Sequence, residues 1–111
     1  MSFLTGSRIY GTPNPESDWD LVVLLSPEDA ERLWVAFAED DPDAKYPSGA
    51  ASFPLRFGSL NLLVCTTAER YDSWRLGTAL LRAAYPQKPV TRDEAIDAFQ
   101  RLFAEESRGV R

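Results

Sequence analysis

The sequence predicts an α+β domain: one small mixed sheet of about four strands, backed by three main helices in two layers. Three observations carry this expectation. Apolar runs of strand length stand at 2–5, 19–25, 52–57 and 59–65. Apolar residues recur at helical spacing from 27 to 38, from 66 to 85 and again from 91 onward. The resulting order is strand, short helical turn, strand, helix, loop, hairpin, helix, helix, which mixes both element types on one sheet.

Residues 2–5, ending at Gly6, suit a brief first strand. Trp19 to Leu25 reads WDLVVLL, an aliphatic run with little alternation, as expected of a strand covered on both faces. Ser26 then caps a helix whose first turn holds Pro27, Glu28 and Asp29, where the helix dipole favours anions. Ala30, Leu33, Trp34, Phe37 and Ala38 make one apolar stripe on it. Residues 40–51 carry two prolines, a glycine and no periodicity, and read as a loop. Ser52–Phe57 and Ser59–Cys65 form a hairpin turning at Gly58-Ser59. Thr66 and Glu69 fit a capping box opening a helix to about Tyr85, with Tyr71, Trp74, Leu81 and Tyr85 on one face. Pro86 and Pro89 break it. Thr91 and Glu94 form a second capping box, Ala95, Ile96, Phe99, Leu102 and Phe103 stripe the last helix, and Ser107–Arg111 reads as a frayed polar tail.

Composition narrows the chemistry. The 111 residues suffice for a single domain, 1–111, with one core. Without histidine, neither a Ser-His-Asp nor a Cys-His mechanism is available. The single cysteine, Cys65, allows no internal disulfide and no cysteine-cluster zinc site, and reads as a small buried hydrophobe. A net charge of −5 argues against nonspecific binding to phosphate backbones, and no apolar run is long enough to span a bilayer. A reduced, soluble, cytoplasmic domain is expected, working through carboxylates, hydroxyls, arginines or backbone groups.

The segment richest in such groups is GSRIYGTPNPESDWDLVVLL, residues 6–25. Gly6-Ser7 follows a strand and opens a helical turn, where backbone N–H groups and the Ser7 hydroxyl make an anion pocket. Asp18 and Asp20 stand two apart at the start of a strand, on one face, with Cα atoms roughly 6.5–7 Å apart. Carboxylates that close repel unless a cation sits between them, and hard Mg²⁺ prefers oxygen ligands and phosphate oxygens. Tyr10 reads as core, Thr5 and Thr12 as turn residues, and Trp19, Trp34 and Trp74 as core or interface anchors.

The pattern Gly-Ser-Arg-x-Tyr-Gly-Thr followed by Ser-Asp-x-Asp-Leu-Val-Val resembles the signature of the polymerase-β-like nucleotidyltransferases, especially the minimal ones, over about a fifth of the chain. The resemblance implies a small mixed sheet backed by helices, a nucleoside triphosphate such as ATP as substrate, and magnesium as cofactor. It assigns the phosphate contacts to Gly6 and Ser7, a less defined basic position to Arg8, and the two-metal site to Asp18 and Asp20. A third carboxylate is expected on the later strand, and Asn61 stands there instead. An amide cannot act as a general base near neutral pH, so transfer would be weak or lost, unless Glu16, Glu69 or Asp72 substituted. The helix that usually precedes the Gly-Ser motif and a separate acceptor-binding domain are not expected.

Two functions follow. The first is Mg²⁺-dependent transfer, or at least binding, of a nucleotide. The second is a catalytically inactive nucleotidyltransferase fold serving as a regulatory or inhibitory protein-binding module. Three tryptophans and two amphipathic C-terminal helices favour docking on a second copy or a protein partner.

Overall fold

The computed structural model describes residues 1–12, 17–37, 43, 45–84 and 90–108. Among them are four strands, β1 (Ser2–Thr5), β2 (Trp19–Leu24), β3 (Ser52–Phe57) and β4 (Leu60–Cys65). The helices are α1 (Ser7–Tyr10), α2 (Pro27–Phe37), α3 (Ala68–Ala84) and α4 (Arg92–Arg108). The strands make one sheet in the order β1-β2-β4-β3. The central β2–β4 pair is parallel, and β1 and β3 close the edges antiparallel to their neighbours. The fold is therefore α+β on a mixed four-stranded sheet, as the element order predicts.

Helices flank both faces of this sheet, where two layers alone would leave one face open. On one face Ala30, Leu33 and Trp34 of α2 pack over Phe53, Leu55 and Val64. On the other face Tyr71 and Trp74 of α3 cover Val22, Leu63 and Cys65. The unbroken apolar run of β2 is the cause. Its alternate residues point to opposite faces, so Val22 and Val23 need cover on different sides. Val22, Val64 and Cys65 are fully buried, each valine worth about 1.5–3 kcal/mol of apolar transfer. α4 lies against α3 rather than on the sheet. Gly77 permits that approach, because a Cβ there would fall 2.4 Å from a ring carbon of Phe99.

The network around Arg70 holds α4 in place. Its Nε lies 3.2 Å from both carboxylate oxygens of Glu106, an Nη donates to Ser52 Oγ at 2.9 Å, and the guanidinium sits 3.9 Å above the Phe103 ring. The Ser73 hydroxyl donates to the same Glu106 carboxylate. One cation thus ties β3, α3 and α4 together, largely out of water, where such hydrogen bonds gain strength.

Helix starts follow the capping residues with one shift. The Asp29 N–H donates to Ser26 Oγ at 3.2 Å, and Thr91 and Glu94 bond reciprocally. α3 is capped by Thr67, whose Oγ1 accepts from the Arg70 N–H at 3.2 Å, instead of by Thr66. The Thr66 hydroxyl is taken by the Ala50 carbonyl, 2.9 Å away. Thr5 is no turn residue: it is buried, with its hydroxyl 2.6 Å from that of Thr78. α4 runs through Arg108, beyond the expected start of the tail. Glu16, Ala38, Tyr85, Pro86, Pro89 and 109–111 lie outside the described residues, and with them the expected break at the two prolines and the last part of the tail. No described helix is long and apolar enough to cross a membrane.

Candidate functional site

The register of the sheet builds a polar row. Thr5 pairs with Asp20, Asp20 with Asn61, and Asn61 with Arg56, so one residue from each strand stands on the same face at the same level. The Asn61 Nδ2 donates to Asp20 Oδ1 at 3.1 Å. The Arg56 guanidinium donates to Asp18 Oδ2 at 2.5 Å. Asp18 itself precedes β2, which starts at Trp19.

Gly6 fits closely into this row. Its φ of +86° is a backbone conformation that side chains rarely allow, and a Cβ there would lie 2.0 Å from Asp20 Oδ2. Glycine is therefore required twice over, by the turn and by the Asp20 carboxylate pressed against it. The Gly6 carbonyl accepts from the N–H groups of Ile9 and Tyr10, closing the short α1 turn.

Gly6, Ser7, Asp18, Asp20, Asn61 and Arg56 share one open cleft of about 640 Å³. The spacing and the resemblance thus point to residues that the fold brings together. The cleft also has apolar lining, from Trp74, Val90, Ile96, Phe99 and Phe103. Tyr10 lines it too, and burial raises its hydroxyl pKa. The indole N–H of Trp74 is buried with no partner among the described residues, packed beside Phe99 at 4.5 Å between ring centres.

Arg8, to which the resemblance gives a less defined basic position, makes its contacts with Ser17 and Trp19. It does not line the cleft; its Nη2 and Nε donate to the Ser17 carbonyl at 2.7 and 3.1 Å, and its guanidinium covers the Trp19 ring. It therefore holds Ser17 by its carbonyl and Trp19 by its ring, the residues on either side of Asp18. Glu69 and Asp72 do not line the cleft either. Glu16 is outside the described residues.

Asp20 is half-buried, and its carboxyl pKa is raised. Desolvation is the main cause, opposed by the Asn61 hydrogen bond; the Asp18 charge raises it further and Arg56 lowers it. Among the described residues no cluster of three His, Cys, Asp or Glu side chains stands ready for a metal. Asp18, Asp20 and the Asn61 amide still offer hard oxygen donors of the type one Mg²⁺ takes while keeping several waters. That fit requires Asp18 to leave Arg56 and the Asn61 amide to turn its oxygen inward.

Sequence reasoning missed Arg56. The hairpin contained the signal: with a two-residue turn at Gly58-Ser59, counting back from Phe57 and forward from Leu60 sets Arg56 opposite Asn61. Comparison of the chain with family models, curated proteins and solved structures finds no match.

Proposed function

We propose that this chain is a nucleotidyltransferase-like domain that binds a nucleoside triphosphate with Mg²⁺ in the cleft, in the cytoplasm. The observation that carries the reading is the seating of Asp20 against Gly6, in one row with Asn61 and beside Asp18. The resemblance of the Gly-Ser and Asp-x-Asp segments supplies the substrate class. Asp18 and Asp20 would hold Mg²⁺, whose charge when bound offsets that of the phosphates. Gly6, lacking a side chain, lets a phosphate approach the backbone, and the Ser7 hydroxyl can donate to it. Asn61 orients the Asp20 carboxylate through its amide.

No described residue in the cleft is placed to accept the proton of an attacking hydroxyl in the way a third carboxylate would. Asn61, donating to Asp20, favours a second reading: nucleotide binding without efficient transfer, with the domain acting through protein contacts. The outward Val35, Phe37 and Leu80 offer apolar surface for such a partner or a second copy.

Thermal melting with Mg²⁺ and each nucleoside triphosphate tests the first reading. A ligand at 100 times its Kd adds about 2.7 kcal/mol, a shift of several degrees in a domain of this size. The Asp18→Asn, Asp20→Asn double variant should lose the shift while melting at or above the wild-type temperature without ligand. Absence of any wild-type shift overturns nucleotide binding. Unfolding of the double variant makes the aspartates structural.

A further inference from the structure

We propose that Arg56 is the anion-holding residue of the cleft: its guanidinium, paired with Asp18, passes to the phosphate oxygens of the nucleotide when a divalent cation takes that carboxylate. The inference rests on the nucleotide-binding reading and assigns a role that neither the Gly-Ser nor the Asp-x-Asp segment contains.

Position is the first ground. Arg56 pairs in register with Asn61, so it rises from the row that holds Asp20 and lines the same cleft. Arg92 also lines the cleft, but from the first turn of α4 and outside the row.

Charge is the second ground. Asp18 and Asp20 against Arg56 leave this end of the cleft with a single net negative charge. One divalent cation reverses that sign, and a triphosphate brings more negative charge than one cation offsets. A guanidinium beside the cation meets the remainder, and its planar fork matches two phosphate oxygens at once.

The third ground is that the existing pair can open. The Arg56 side chain is 65% exposed and that of Asp18 31%. An ion pair so well hydrated adds little net stability, so exchanging its partner costs little.

Arg56 thus competes with a cation for Asp18 and cooperates with the same cation in holding phosphate. Its removal should act on the two ligands in opposite directions, which a purely structural ion pair would not do. The experiment measures Mn²⁺ binding by electron paramagnetic resonance, and Mg²⁺-tripolyphosphate binding by calorimetry. It uses the wild-type chain, Arg56→Gln, Arg56→Lys and Arg92→Gln. Arg56→Gln should bind Mn²⁺ severalfold more tightly and tripolyphosphate about tenfold or more weakly, in line with loss of a charge-assisted contact. Arg56→Lys, which keeps the charge and loses the fork, should fall between on both. All variants should melt close to the wild type, because the pair is exposed. The proposal is overturned if both affinities of Arg56→Gln move together or stay unchanged, or if Arg92→Gln alone weakens tripolyphosphate. Wild-type binding of Mn²⁺ without tripolyphosphate sinks the role of Arg56 and leaves the cation site standing. Failure of the wild type to bind either removes the nucleotide reading along with it.

Discussion

Two neighbouring rows on one face of the sheet differ completely in chemistry. Phe3, Val22, Leu63 and Pro54 form the first, and Thr5, Asp20, Asn61 and Arg56 the second, two residues away along every strand. Val22 is fully buried in a cluster with Tyr71, and Phe3 meets the Tyr71 ring edge-on at 5.2 Å. The second row looks into the cleft and is graded from end to end. Thr5 is buried and hydrogen-bonded to α3, Asp20 and Asn61 are half-buried, and Arg56 is exposed. The strands are continuous through both rows, so strand geometry does not make the difference. What lies above does: α3 seals the first row, while α1 and α4 flank an opening over the second. A polar row across all four strands at such an opening costs stability that a closed core would have kept, a cost of the kind that binding sites carry.

Exchanging the chemistry of the rows should break the comparison most visibly. Val22→Asp puts a carboxylate into the dry row without a partner and should cost about 4 kcal/mol or more, enough to unfold a small domain. The reverse exchange, Asp20→Val, removes a desolvated charge and should leave the urea midpoint within about 1 kcal/mol of the wild type at neutral pH. Equal losses from the two would mean that the rows are equally buried and the cleft is no site.

Gly6→Ala comes next. Positive φ on a residue with a side chain costs on the order of 1–3 kcal/mol, and here the new methyl also displaces the Asp20 carboxylate. Denaturation should register the loss, and cation affinity should fall with it. A variant as stable as the wild type would show that Asp20 does not lie against the turn.

The smallest effect sharpens the role of Asp20. A carboxyl whose pKa is raised on folding contributes stability that is complete below its ordinary 3.8 and is lost as pH rises through the raised value. The wild type should therefore lose stability relative to Asp20→Asn as pH climbs from 3.8 through that window. Parallel stability–pH curves for the two proteins would mean that Asp20 is as well solvated as a surface carboxylate.

Much of this was legible in the sequence because local spacing determines it. Ser26, Thr91 with Glu94, and Gly58-Ser59 act on residues two to four positions away, and each sits where its chemistry requires. Asn61 comes from the resemblance, which expects a third carboxylate on the later strand, where it is the best-placed polar residue of SLNLLVC. What escaped depends on distant parts of the chain. Thr66 fits a cap until the Ala50 carbonyl claims its hydroxyl, and the partner of Thr5 stands 73 residues on. The contacts of Arg8 with the Ser17 carbonyl and the Trp19 ring likewise depend on how the chain returns to it.

The parallel pairing of β2 with β4 also governs when the site can exist. A hairpin such as β3–β4 closes across a two-residue turn, and such pairs form in about 1–10 μs. Asp20 and Asn61 meet only when strands 41 residues apart come into register, which requires closing a long loop before any contact rewards it. Arg56 and Asn61 can therefore be neighbours early, whereas Asp20 joins them only as the central pair zips. A spectroscopic probe at Asn61 reporting contact with Asp20 would follow the long-range pairing of the sheet itself. Ligands that need all three residues would bind only molecules that have passed that step.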